Sequence, residues 1–64
     1  MRRVAAHEVI EGSTQIHLGA VEIEGDKAER YYQFSGELPR TEWLGGTIEI
    51  KNGQAFHNGK LLTE

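Results

Sequence analysis

The 64-residue sequence predicts an all-β fold, a small antiparallel barrel or two packed meanders of about five to six short strands. Three observations predict it. Turn-forming pairs recur at short intervals: Gly12-Ser13, Gly25-Asp26, Asn52-Gly53 and Asn58-Gly59. The runs between them alternate apolar and polar residues, the period of a half-buried strand. Glycine, threonine and β-branched residues stand where a helical period would want Ala, Leu or Glu.

Val4 to Ile10 reads as the first strand, with a short helix as the alternative raised by Ala5-Ala6. A two-residue turn at Gly12-Ser13 sets Val9 opposite Ile16, His7 opposite Leu18 and Ala5 opposite Ala20, one coherent apolar face. The other face then pairs Glu8 with His17 and Val4 with Val21. The strand from Thr14 continues to a second turn at Gly25-Asp26 and returns to Ser35, the long hairpin around which the chain is organised. Unbroken pairing from Glu24-Lys27 sets Ile23 opposite Ala28, Val21 opposite Arg30, Gly19 opposite Tyr32 and His17 opposite Phe34. Val21, Ile23, Tyr32 and Phe34 would then share one face. Gly19, inside a strand, marks a bend or the close approach of a large side chain, with the Tyr32 ring as the candidate.

Residues 36–46 form an irregular connection between an N-terminal and a C-terminal meander within one domain spanning 1–64. Gly36 and Pro39 punctuate it, and Thr41 to Leu44 is either one helical turn or a short strand ending at Gly45-Gly46. Asn52-Gly53 then demands a type I′ hairpin, because both central residues take positive φ. Ile50 lies opposite Ala55, and Ile48 opposite His57. Asn58-Gly59 repeats the turn, setting Phe56 against Leu61 and Ala55 against Leu62. A continuous curved sheet is the alternative to two meanders.

Composition bounds the function. So short a chain buries only about 60% of the surface its unfolded form exposes, which leaves a thin core. With no cysteine there is neither a disulfide nor a thiolate metal site, so self-association is the remaining supplement. A net charge of −3, with only Arg2-Arg3 adjacent among the basic residues, opposes nucleic acid and anionic membranes. No apolar run approaches a membrane span, and no secretory pattern follows Met1, so the expected location is cytoplasmic.

Few residues invite chemistry. His7, His17 and His57 lack the close spacing of metal ligands, and in this register His7 and His17 point to opposite sides of the sheet. Ser13 and Ser35 stand in no nucleophile context, and no separation is fixed for Glu37 and Glu42 as a carboxylate pair. Arg30, Tyr32 and Phe34 could form a base-stacking ladder, but their face also carries Val21 and Ile23 and so reads as core. The expectation is therefore no enzyme, no cofactor and no metal. Leu38, Pro39, Trp43 and Leu44 stand out as candidates for a protein interface, since an aromatic beside apolar residues in a loop suits an interface anchor. The competing reading makes Trp43 the lid of the core. The edges at Ala5-Ala6 and Leu61-Leu62 are weakly guarded and suit pairing into a homodimer. The function these features favour is a protein-interaction or accessory module that homodimerises, with a small nucleic-acid- or ligand-binding barrel as the alternative and a metal-dependent enzyme behind it.

Overall fold

A computed structural model describes all residues, 1–64. The strands are β1 (Arg2–Glu11), β2 (Thr14–Glu24), β3 (Lys27–Gln33), β4 (Thr41–Trp43), β5 (Thr47–Lys51), β6 (Gln54–His57) and β7 (Lys60–Leu61). All seven belong to one sheet ordered β3-β2-β1-β5-β6-β7, with β4 also paired to β1. The fold is all-β, as the alternation predicts. It is neither an antiparallel barrel nor two packed meanders, however, because β1 pairs in parallel with both β4 and β5. The ten residues of β1 are long enough to take β2 on one edge and β4 followed by β5, end to end, on the other. Ala5 and Ala6 therefore lie in a central strand and offer no open edge.

The sheet curls without closing into a barrel. Ala28 N–H donates to the Gly53 carbonyl at 2.7 Å, and Glu64 N–H to the Gly25 carbonyl at 2.7 Å. Gln54 Nε2 adds a bond of 3.3 Å to Asp26. These bonds span the opening, but no strand ladder bridges it.

Turn chemistry sets the hairpins. Asn52-Gly53 and Asn58-Gly59 all take positive φ, as type I′ turns require. Ile50 faces Ala55, Ile48 faces His57, Phe56 faces Leu61, and Leu62 N–H bonds the Ala55 carbonyl. The β1–β2 register also matches the sequence reading, with Val9 opposite Ile16, Ala5 opposite Ala20 and Val4 opposite Val21.

Two irregularities redistribute the faces. The Ala5 carbonyl accepts from Leu44 N–H, and Glu8 N–H donates to the Gly46 carbonyl, so both residues bond to the same edge of β1. They are three apart, whereas strict alternation needs an even separation, so β1 slips by one residue around His7. Opposite, Leu18 adopts φ 54°, a left-handed conformation that a leucine takes only where its surroundings impose it. The slip turns Val4, Ala6 and Val9 all inward, together with Val21, Ile23, Ile48, Ile50, Ala55 and Leu62. Ala5 and Ala20, expected on one apolar face with Val9, are buried outside that cluster.

The second irregularity is a bulge between Glu22 and Ile23 on the β2–β3 ladder. Beyond it Val21 faces Tyr31, Ala20 faces Tyr32 and Gly19 faces Gln33. The bulge reverses the expected faces: Tyr31 packs on the core and Tyr32 turns outward. Gly19 is covered by Val9 instead of Tyr32. A Cβ there would lie 2.4 Å from Val9 Cγ2, so the close-approach reading holds with a different side chain.

Candidate functional site

Strand order forces the connection after β3 to cross β2 and β1 before the chain joins β1 as β4. Arg3 Nη1 holds that crossing by donating to the Pro39 carbonyl at 2.8 Å, and Thr41 Oγ1 donates to the same oxygen at 3.1 Å. Arg40 then takes φ 55° and turns the chain into β4. Arg2 fixes β4 from below. Its Nε and Nη2 grip the Glu42 carboxylate at 2.8 and 2.9 Å, and its Nη1 reaches the Thr63 carbonyl at 2.8 Å. This bidentate grip holds the Glu42 carboxyl below the usual carboxylate range.

Within β4 the side chains divide. Leu44, just after the strand, packs on the core. Trp43 points outward and is 53% exposed, so it is not the lid of the core. The His7 ring meets the indole edge-on, with centroids 4.8 Å apart and planes at 81°. His7 Nδ1 also accepts a bond of 3.1 Å from Gly46 N–H, which fixes the neutral ring as the Nε2–H tautomer. His57 Nε2 donates to the Gly45 carbonyl at 3.1 Å. Gly45 and Gly46 have φ of 73° and 60°, so the step between β4 and β5 is a left-handed pair gripped by an imidazole on each side. Leu38 is half-buried and Pro39 exposed.

The outer edge of β4 is unpaired. Leu44 N–H donates to Ala5, and in the parallel register Glu42 likewise directs its groups to β1. The N–H and C=O of Thr41 and Trp43 consequently point away from the sheet. Trp43, the His7 ring and these free backbone groups form one contiguous exposed edge.

A second polar group lies on the outward side of β2 and β3. Tyr32 Oη donates to Glu22 Oε2 at 2.6 Å, Arg3 Nη2 approaches the same oxygen at 3.2 Å, and Arg30 Nε lies 3.5 Å from Oε1. The Tyr32 bond, with the two arginines, holds the Glu22 carboxyl low, while the carboxylate raises the Tyr32 phenol. The Arg30 guanidinium lies over the Tyr32 ring at 5.8 Å. Arg30 and Tyr32 therefore face outward and not into the core, but Arg30 already occupies the ring and Glu22 supplies negative charge where a nucleic acid would bring its phosphates.

The three histidines do not converge. His17 Nδ1 lies 3.1 Å from Glu8, and that contact, with a bond from Gln15, lowers the Glu8 carboxyl. No group of three or more His, Asp or Glu side chains is arranged to hold a metal ion, and no pocket opens on the surface. Leu38, Pro39, Trp43 and Leu44 stand out in the sequence as interface candidates, whereas His7 and His57 do not stand out as the grips on Gly45-Gly46. The adjacent glycines were the available signal, since two in succession mark a turn that something must hold. No helix is long and apolar enough to cross a membrane. No family model, no curated protein and no solved structure matches the chain.

Proposed function

We propose that this chain is a small protein-interaction module whose contact surface is the outer edge of β4, with Trp43 as its anchor. The observation that carries this reading is the 53% exposure of Trp43, the one tryptophan of the chain, beside an unpaired strand edge. A large rigid aromatic held by a neighbouring ring loses little conformational entropy on contact, and free backbone groups beside it can add a strand. Arg2, Arg3 and His57 hold the chain on either side of this edge and His7 packs against its indole, which suits preorganised recognition. Leu38 and Leu44 are the half-buried flanks of the surface, and Pro39 is its exposed end.

Panning a displayed random-peptide library on the immobilised protein tests the reading. Peptides that bind the wild-type chain and are lost on Trp43→Ala, with the circular dichroism spectrum unchanged, support it. Failure to enrich any peptide, or enrichment indifferent to Trp43→Ala, contradicts it.

A further inference from the structure

We infer that the partner at this edge is a second copy of the chain, joined by antiparallel pairing of β4 with β4 about a two-fold axis at Thr41. The inference rests on the proposed role of the β4 edge and adds the identity of its occupant. Only Thr41 and Trp43 direct backbone groups outward, so a symmetric pair of β4 strands has three registers. An axis at Glu42 pairs Thr41 with Trp43 but sets the two Glu42 carboxylates against each other. An axis at Trp43 sets Glu42 beside Leu44, whose side chain is committed to the core, and brings no opposite charges together. An axis at Thr41 exchanges two backbone bonds between the Thr41 residues. It also sets Arg40 of each copy beside Glu42 of the other and brings the exposed Pro39 ring toward the Trp43 indole.

The segment Pro39-Arg40-Thr41-Glu42-Trp43 is thus complementary to itself: ring, cation, centre, anion, ring. Arg40 has no ion pair within the chain, unlike Arg2, Arg3 and Arg30. The Glu42 of a second copy, held by its own Arg2 yet with its side chain 54% exposed, would supply the carboxylate that the Arg40 guanidinium lacks within its own chain. Because Arg40 turns the backbone at φ 55°, the ladder is limited to the Thr41 pair and the rest of the contact comes from side chains. So small an interface falls below the ~800 Å² per partner of a stable complex, so the dimer is weak and fills only at high protein concentration.

Sedimentation velocity from low micromolar to near-millimolar protein, at low and high salt, tests the inference. Wild-type chain should shift from monomer to dimer across this range. Arg40→Glu should weaken association at least tenfold, as should Glu42→Arg. An equimolar mixture of the two variants should recover it, because each contact between unlike copies then again joins a carboxylate to a guanidinium. Because Glu42→Arg also removes the Arg2 grip, hydrogen-exchange protection of the Leu44 amide in each variant confirms that β4 stays bonded to β1. A wild-type monomer at every concentration overturns the inference, and so does a dimer that survives Arg40→Glu unchanged or a variant mixture that fails to associate. Peptides selected on the Trp43 surface of a chain that stays monomeric would overturn the second copy as partner and leave the interaction module standing.

Discussion

Gly19→Ala should destabilise the fold although its backbone conformation accepts alanine. In an ordinary strand position the substitution would gain about 0.4–1 kcal/mol by restricting the unfolded chain. Here the new methyl would lie 2.4 Å from Val9 Cγ2, 2.9 Å from Val9 Cβ and 3.4 Å from Ile16 Cγ2. Val9 is fully buried and β-branched, and its Cβ is fixed to the backbone of β1, so rotation cannot relieve both contacts. Overpacking of this kind costs about 1–3 kcal/mol, so after the gain is subtracted the net loss is centred on about 1.3 kcal/mol and reaches about 2.6 kcal/mol. For a domain whose whole stability is about 3–5 kcal/mol that is a large share. It corresponds to a fall in Tm of about 4–8 °C per kcal/mol. Urea denaturation followed by far-ultraviolet circular dichroism measures it. A double-mutant cycle identifies the cause: in a Val9→Ala background the 2.4 Å contact is gone, so Gly19→Ala should cost less by about 1 kcal/mol. An unchanged or raised midpoint for Gly19→Ala, or strict additivity with Val9→Ala, would refute the packing of Val9 over Gly19.

Further expectations follow from the turns, the carboxylates and the aromatic edge. A Cβ at Gly53 meets nothing within 4 Å, so Gly53→Ala reads backbone strain alone, about 1 kcal/mol in the urea midpoint, and Gly53→Val more; equal midpoints for all three would exclude the type I′ turn. Glu8, Glu22 and Glu42 have lowered carboxyl pKa in the fold, so their stabilisation is present above the ordinary carboxylate range and is lost as pH falls through the lowered values. The urea midpoint should therefore fall below about pH 4.5, and less steeply in Tyr32→Phe, which removes the chief donor to Glu22; a midpoint flat from pH 7 to 3 would contradict the ion pairs. Tyr31 and Tyr32 are raised, beside Glu11 and Glu22 respectively, so their contribution is present below about pH 10 and lost above it, readable by phenolate absorbance in folded and unfolded protein. Nitrogen-15 shifts of the neutral His7 ring should show a bare Nδ1 and a protonated Nε2, and the opposite tautomer would break the Gly46 contact.

Local rules made the three ladders across Gly12-Ser13, Asn52-Gly53 and Asn58-Gly59 legible. Asn52-Gly53 and Asn58-Gly59 specify their turns by the φ they tolerate, and the β1–β2 register followed from matching apolar positions across Gly12-Ser13. The faces were not legible, because a single slip inverts everything beyond it. One bulge at Glu22–Ile23 exchanged Tyr31 and Tyr32, and the slip at His7 and Leu18 brought both parities of β1 into the core. Neither carries a sequence mark stronger than Gly19, which signalled a bend or a close approach but pointed to Tyr32 where Val9 covers it. The parallel pairing of β1 with β4 and β5 lay beyond local reading altogether, since it depends on where the connection after β3 returns the chain. Trp43 stands out in the sequence for its company of Leu38, Pro39 and Leu44. Its exposure instead reflects the strand geometry that turns Leu44 inward and the indole outward.

Hydrogen exchange at the amides of Thr41 and Trp43 bears most directly on the exposed β4 edge as an interaction surface. In dilute protein both amides point away from the sheet and should exchange nearly as fast as in an unstructured peptide, while Glu42 and Leu44, bonded to β1, are protected. Raising the concentration toward millimolar, or adding a peptide selected on the Trp43 surface, should slow Thr41 while leaving the β6–β7 amides unchanged. Protection of Thr41 and Trp43 already in dilute monomer, or fast exchange that neither concentration nor peptide alters, would contradict an open edge that receives a partner.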